Sequence, residues 1–191
     1  MKLIIGLGNP EEKYIKTRHN AGEFYLSKLR NVWSEKDFTE GKNALWLETK
    51  VGKEKVFLIF PNQFMNNSGE SLKKTLANLK LKPKPGDILV MHDDLDIEFG
   101  RIKMSFARSS AGHNGVQSII KNLKTDKFWR LRIGIGIKKK PDGKKMIDFI
   151  LKKFKPEEEK TLNKNFKDIL PSLETWLVNP SRAMSEINSK N

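Results

Sequence analysis

The sequence predicts one α/β domain covering residues 1–191, a twisted mixed β-sheet flanked by helices. Short apolar runs that stop at glycine or polar residues alternate with stretches of helical spacing. Two of those runs, 44–51 and 55–61, flank a turn at Gly52-Lys53, which makes an antiparallel pair and therefore a mixed sheet. A chain of 191 residues that is 37% hydrophobic, with no internal repeat or low-complexity linker, can bury one sizeable core.

The elements follow in order. Residues 2–8 are an apolar run ending in glycines and read as a buried strand. Residues 20–32 carry Ala21, Phe24, Tyr25, Leu29 and Val32 at helical spacing. The strand pair at 44–61 comes next, then a helix at 68–79, with Asn67 and Glu70 as a capping box at its start. Pro83, Pro85 and Gly86 form a loop. Residues 87–92 are a core strand and 101–106 alternate as a half-exposed one. Residues 114–123 are helical, 130–137 are a strand, and 156–178 and 180–188 are two further helices. In such sheets ligands gather beyond the carboxyl ends of the strands. Asn9 follows the first strand, Phe64-Met65-Asn66 follow the strand that ends near Phe60, and Asp93 ends the strand at 87–92. Three strand ends therefore deliver polar residues to one edge.

Composition narrows the chemistry. Cysteine is absent, so disulfides, thiolate metal sites and a cysteine nucleophile are excluded. No apolar run approaches the roughly 20 residues that span a bilayer, and the opening MKLIIGLGNP does not read as a secretory signal. A cytoplasmic protein with no membrane partner is the expectation. Net charge is +14, and residues 101–155 hold 16 Lys and Arg against 3 Asp. So one-sided a field favours a polyanion, most simply nucleic acid; the bland alternative is a solvated lysine-rich face.

The three histidines each lie in a short polar cluster: RHNAG, HDDLD and GHNG. Imidazole is the side chain best suited to moving a proton near neutral pH. His19 stands just before a helical pattern, where the helix dipole favours its neutral form, the form a general base needs. A carboxylate of the Asp93-Asp94 pair could fix the tautomer of such a base, or the pair could be an acidic turn or a hard-cation site. GLGNP lacks the third glycine of a dinucleotide loop, so it reads as a tight strand exit that aims Asn9 into a cleft or caps a turn. In FMNNSG, Asn67 caps the helix and leaves Asn66 free to donate to a carbonyl or oxyanion; alternatively both only shape the turn. There is no G-x-S-x-G, and the histidines lack zinc-site spacing. These residues point to water, activated by histidine, attacking an acyl carbon, with the amides holding the carbonyl and the water. In the basic stretch Arg101, Lys103 and Ser105 share one strand face, and Arg130 and Arg132 share another. Lys138–Lys140 and Lys144–Lys145 flank a Pro141-Asp142-Gly143 turn and read in part as a mobile hairpin tip.

GLGNP, Tyr14, RHNAG, FMNNSG, HDDLD, GHNG and RLRIGIG occur in the order and spacing of bacterial-type peptidyl-tRNA hydrolases, which the chain resembles from Met1 to at least Phe154. The resemblance implies a monomeric enzyme that cleaves the ester between a peptide and the 3′ ribose of tRNA without a cofactor, recycling tRNA from interrupted translation. It places His19 on the catalytic base, Asp93 on its partner, and Asn9 and Asn66 on amides that position substrate. It places Asn114 on an amide that holds water and peptide backbone, and His113 beside the tRNA end. Tyr14 and Met65 fall on cleft positions, and Arg132 on a contact to the terminal phosphate of the acceptor stem. Ser105 stands where many relatives carry a basic clamp residue, so Lys103, Arg101 or Arg108 takes that work. Pro61-Asn62-Gln63 and Ile137-Lys138 also depart from the usual pattern, at the rim only. Two rivals stand beside this reading: a non-catalytic RNA-binding protein on the same scaffold, and an esterase for small acyl substrates. The complete His, Asp and Asn set argues against the first, and the charge of residues 101–155 against the second.

Overall fold

A computed structural model describes residues 1–138 and 141–190. Its strands are β1 (Lys2–Gly6), β2 (Thr39–Glu40), β3 (Ala44–Val51), β4 (Glu54–Pro61), β5 (Ile88–Glu98), β6 (Ile102–Phe106) and β7 (Trp129–Gly136). Its helices are α1 (Ala21–Trp33), α2 (Ser68–Asn78), α3 (Asn114–Leu123), α4 (Gly143–Ile150), α5 (Pro156–Val178) and α6 (Pro180–Ser189). The strands form one seven-stranded sheet in the order β2-β3-β4-β1-β5-β7-β6. The pairs β4–β1, β1–β5 and β5–β7 are parallel, while β3 and β6 run antiparallel at the flanks. The expected mixed sheet is therefore present.

The core lies on both faces of that sheet. On one face Tyr25, Leu26 and Leu29 of α1 pack with Leu162, Phe166, Leu173 and Trp176 of α5 and Ala183 and Ile187 of α6. On the other, Leu72 and Leu76 of α2 and Val116 and Ile119 of α3 cover Leu3, Ile5 and Val90. Each such aliphatic or aromatic side chain contributes about 1.5–3 kcal/mol by leaving water, so covering both faces explains why the central strands read as continuous apolar runs. Because four adjacent strands, β4, β1, β5 and β7, are parallel, their carboxyl ends share one edge.

Three sequence expectations change. Asp93 does not end a strand; β5 continues to Glu98, paired with β7 through a register irregularity after Asp94. Its uncovered flank arises because β1 stops at Gly6, opposite Met91, so β5 projects beyond its neighbour. The Asn67–Glu70 capping box does not form. Asn67 lies at φ −104°, ψ 4°, outside the extended region that a capping side chain needs, because a 3₁₀ turn over Met65–Asn67 winds straight into α2. Glu70 pairs with Lys74 at 2.7 Å instead. Lastly, residues from Gly143 onward form α4 rather than the flank of a hairpin. Lys139 and Lys140 lie outside the described residues.

Glycine places α1 against the site edge. Leu7 N–H donates to the Met91 carbonyl and Glu23 N–H to the Leu7 carbonyl, both at 3.0 Å. Any Cβ on Gly22 would overlap the Met91 carbonyl oxygen, so only glycine lets the start of α1 come this close to β5. His19, in the 3₁₀ turn Arg18–Asn20 just before α1, is thereby held beside Asp93.

Candidate active site

The ring Nδ1 of His19 lies 3.0 and 3.2 Å from the two carboxylate oxygens of Asp93. His113 approaches the same Oδ1 through Nε2 at 2.9 Å. Both residues that resemblance pairs, His19 and Asp93, are buried at one cleft of about 280 Å³ that Asp94, His113, Asn114, Met146, Ile147 and Ile150 also line.

The neighbours fix the protons. His113 caps α3 with its imidazole: Gly115 and Val116 N–H groups donate to Nδ1 at 3.2 and 3.4 Å. That nitrogen must be bare, so Nε2 carries the hydrogen and donates to Asp93. His19 likewise donates Nδ1–H to an acceptor-only carboxylate, which leaves its Nε2 lone pair for a substrate proton. The third histidine, His92, donates Nδ1–H to the Asp93 carbonyl at 2.7 Å, and its buried Nε2 has no partner among the described residues.

Burial pushes the His19 imidazole down, but the Asp93 charge and hydrogen bond outweigh it, so the net shift is upward from 6.5. This corrects the expectation from the helix start: the adjacent carboxylate, not the dipole, sets the sign. Burial pushes the Asp93 carboxyl up, and the His19 and His113 imidazoles reverse that, holding it well below the usual carboxylate range. Burial, helped by His113, lowers His92 to about 3, so that ring stays neutral.

His19, Asp93 and His113 are of the right types for a divalent cation, with ligand atoms within 4.8 Å of one another. The tautomers oppose it. A metal shared with Asp93 needs a lone pair on His113 Nε2, which here carries the hydrogen, and His113 could supply it only by giving up its cap.

Asn9 is held by its surroundings. Its N–H donates to Asn20 Oδ1 and its carbonyl accepts from Asn20 Nδ2, both at 2.9 Å. Its own Oδ1 accepts from Met65 N–H at 2.9 Å. With that oxygen taken, what Asn9 offers a ligand is its Nδ2–H donors. Asn114 opens α3 and reaches the His19 cleft. Asn66 is exposed on the turn after Met65, and Tyr14 is half-buried in the turn Glu12–Tyr14. Met65 is buried, and its side chain packs where a Cβ on Gly115 would go.

The basic stretch is more committed than its sequence suggests. Arg132 Nε donates to Asp94 Oδ2 at 2.7 Å. Lys103 faces Arg132, and Ser105 faces Arg130, across β6 and β7. Lys103 is exposed but Ser105 is buried, so the two do not present one open strip. Arg130 is 1% exposed, stacks on Phe128 at 4.5 Å, and has a pKa lowered to about 10 by burial.

Sequence reasoning missed Asn20, Arg18 and α4. Asn20 is visible in RHNAG but only the fold shows its double bond to Asn9. The Arg18 guanidinium donates to Glu158 at 2.8 Å and to the carbonyls of Lys152 and Lys153, tying the His19 turn to the chain that follows α4. Met146, Ile147 and Ile150 give the cleft an apolar wall. No described helix is long and apolar enough to cross a membrane.

A parallel-centred sheet covered on both faces, with a carboxylate-held imidazole and side-chain amides at its carboxyl edge, has the layout of a hydrolase. The family model for peptidyl-tRNA hydrolase matches residues 3–191. A peptidyl-tRNA hydrolase of Mycoplasma mycoides is 40% identical over 168 residues, 88% of each chain. One from Aquifex aeolicus is 37% identical over 189 residues, 98% of this chain and 96% of the relative. A crystal structure of peptidyl-tRNA hydrolase from Acinetobacter baumannii superposes with a TM-score of 0.87 at 30% identity, covering 98% of this chain and 94% of that one. The chain belongs to the peptidyl-tRNA hydrolase family.

Proposed function

We propose that this chain hydrolyses the ester bond of peptidyl-tRNA, releasing tRNA and peptide, with His19 as the base that activates water. The observation that carries the mechanism is the carboxylate of Asp93 against Nδ1 of His19, a residue that lines the cleft; with Nδ1–H given to the carboxylate, the neutral ring keeps its lone pair on Nε2. Nε2 takes a proton from water, the hydroxide attacks the ester carbonyl carbon, and the 3′-oxygen of the ribose leaves as the proton is returned. Asn9, through Nδ2–H, and Asn66 hold the peptide and the carbonyl. Asn114 helps to place the water, and Tyr14 borders the peptide. Arg132 and Lys103 meet acceptor-stem phosphate, with Asp94 orienting Arg132. The enzyme acts in the cytoplasm as a monomer and uses no metal.

The test is release of N-acetyl-aminoacid from N-acetyl-aminoacyl-tRNA by purified protein, with and without chelator. Turnover that survives chelation is expected. Unacylated aminoacyl-tRNA should be a poor substrate, and tRNA affinity should fall on going from low to moderate salt, as counterion release requires. An unchanged affinity would remove the basic stretch as the RNA site. A faster rate on a short peptidyl ester than on peptidyl-tRNA would favour the small-ester reading.

A further inference from the structure

We infer that His113 is a positioning residue that sets the basicity of His19, by sharing with it the carboxylate of Asp93. This rests on the proposed role of His19 as base. Resemblance puts His113 against the tRNA end, yet neither of its nitrogens is available to RNA. Nδ1 accepts from two backbone N–H groups at the start of α3, and Nε2–H is spent on Asp93 Oδ1 at 2.9 Å. Its side chain is only 8% exposed. Its ring contacts both other histidines, with centroids 4.9 Å from His19 and 4.8 Å from His92.

This arrangement has a chemical consequence. A carboxylate that accepts a second N–H has less charge to offer the first. The His113 bond therefore weakens the pull of Asp93 on the His19 proton, and His19 stays neutral at lower pH than it would beside Asp93 alone. The device is rigid because the same imidazole is the cap of α3. Other charges near the pair come from β5, where Asp94 holds Arg132, Asp96 borders the cleft, and His92 is neutral. From α4 only Met146, Ile147 and Ile150 face it, and Arg18 is committed to Glu158.

His113→Asn separates the two roles. Asn is among the best capping residues, so α3 keeps its start, but it is too short to reach Asp93. His113→Gln restores a donor of nearly the original length. The first readout is ¹⁵N NMR titration of His19 in the free protein, and the second is the pH profile of kcat/KM on N-acetyl-aminoacyl-tRNA. In His113→Asn the His19 pKa and the acid limb should both rise by about one unit, a tenfold change in proton affinity. KM should change by no more than about threefold, and His113→Gln should return the limb towards the parent. An unmoved His19 pKa in His113→Asn overturns the inference, as does a rise in KM with the limb in place, the mark of an RNA contact. Should the parent protein fail to hydrolyse the substrate, the proposed function falls while the titration still decides this inference.

Discussion

His19→Asn should lower kcat on N-acetyl-aminoacyl-tRNA by on the order of 10²–10⁴-fold, the range for losing a general base, while tRNA affinity stays within about threefold. The asymmetry follows from the layout. His19 is 7% exposed and its ring faces Asp93 and the cleft, whereas the cations proposed to meet phosphate, Lys103 and Arg132, lie on β6 and β7. Asparagine keeps a donor that can still meet Asp93, so the turn over Arg18–Asn20 should survive. Measured kcat and a tRNA binding isotherm on the same preparation separate the two effects. Equal loss of both would contradict the assignment.

Asp93→Asn should reduce kcat comparably and also weaken the fold. The carboxylate receives N–H groups from two imidazoles, and hydrogen bonds to a buried charge are worth about 1.5–3 kcal/mol each. Asparagine with its oxygen at the shared Oδ1 site presents N–H at the Oδ2 site, 3.2 Å from His19 Nδ1, where that ring already presents one, so His19 is pushed to turn or change tautomer. The pH dependence has a definite sign. Asp93 has a depressed pKa in the fold, so its contribution is present above about pH 4, the unfolded value, and fades as acid approaches the folded one. His19 has a raised pKa, so its contribution is fully present below 6.5 and is lost as pH rises through the folded value. The stability gap between parent and Asp93→Asn should therefore be widest between about pH 4 and 6.5 and narrower at pH 8 and at pH 3. Urea midpoints at these pH values check it; a gap that grows steadily to pH 8 would contradict the pairing.

The strands and most helices were legible because their signals are local. The hairpin at Gly52-Lys53, the helix over Asn114–Leu123 and the helix over Pro156–Val178 all follow from turn residues and apolar spacing. The helix α4 was hidden by its own sequence: lysines and Pro141-Asp142 lead into only eight helical residues, Gly143–Ile150, none of them fully buried. The proton arrangement was not legible at all. That His113 caps its helix with an imidazole, and so must donate to Asp93, depends on two backbone N–H groups whose direction only the fold supplies. The same holds for Asn9, whose free donors are defined by Met65 N–H taking its oxygen. Charge was misleading in one respect, since Arg132 has a carboxylate partner that the sequence count treats as distant acid.

The most direct test is the ¹⁵N spectrum of histidine-labelled protein at a pH above the His19 transition. His19 should carry its proton on Nδ1 and show an unprotonated Nε2, with His113 in the opposite tautomer. A neutral His19 protonated on Nε2 would leave no lone pair facing the substrate, and the account of water activation would be wrong.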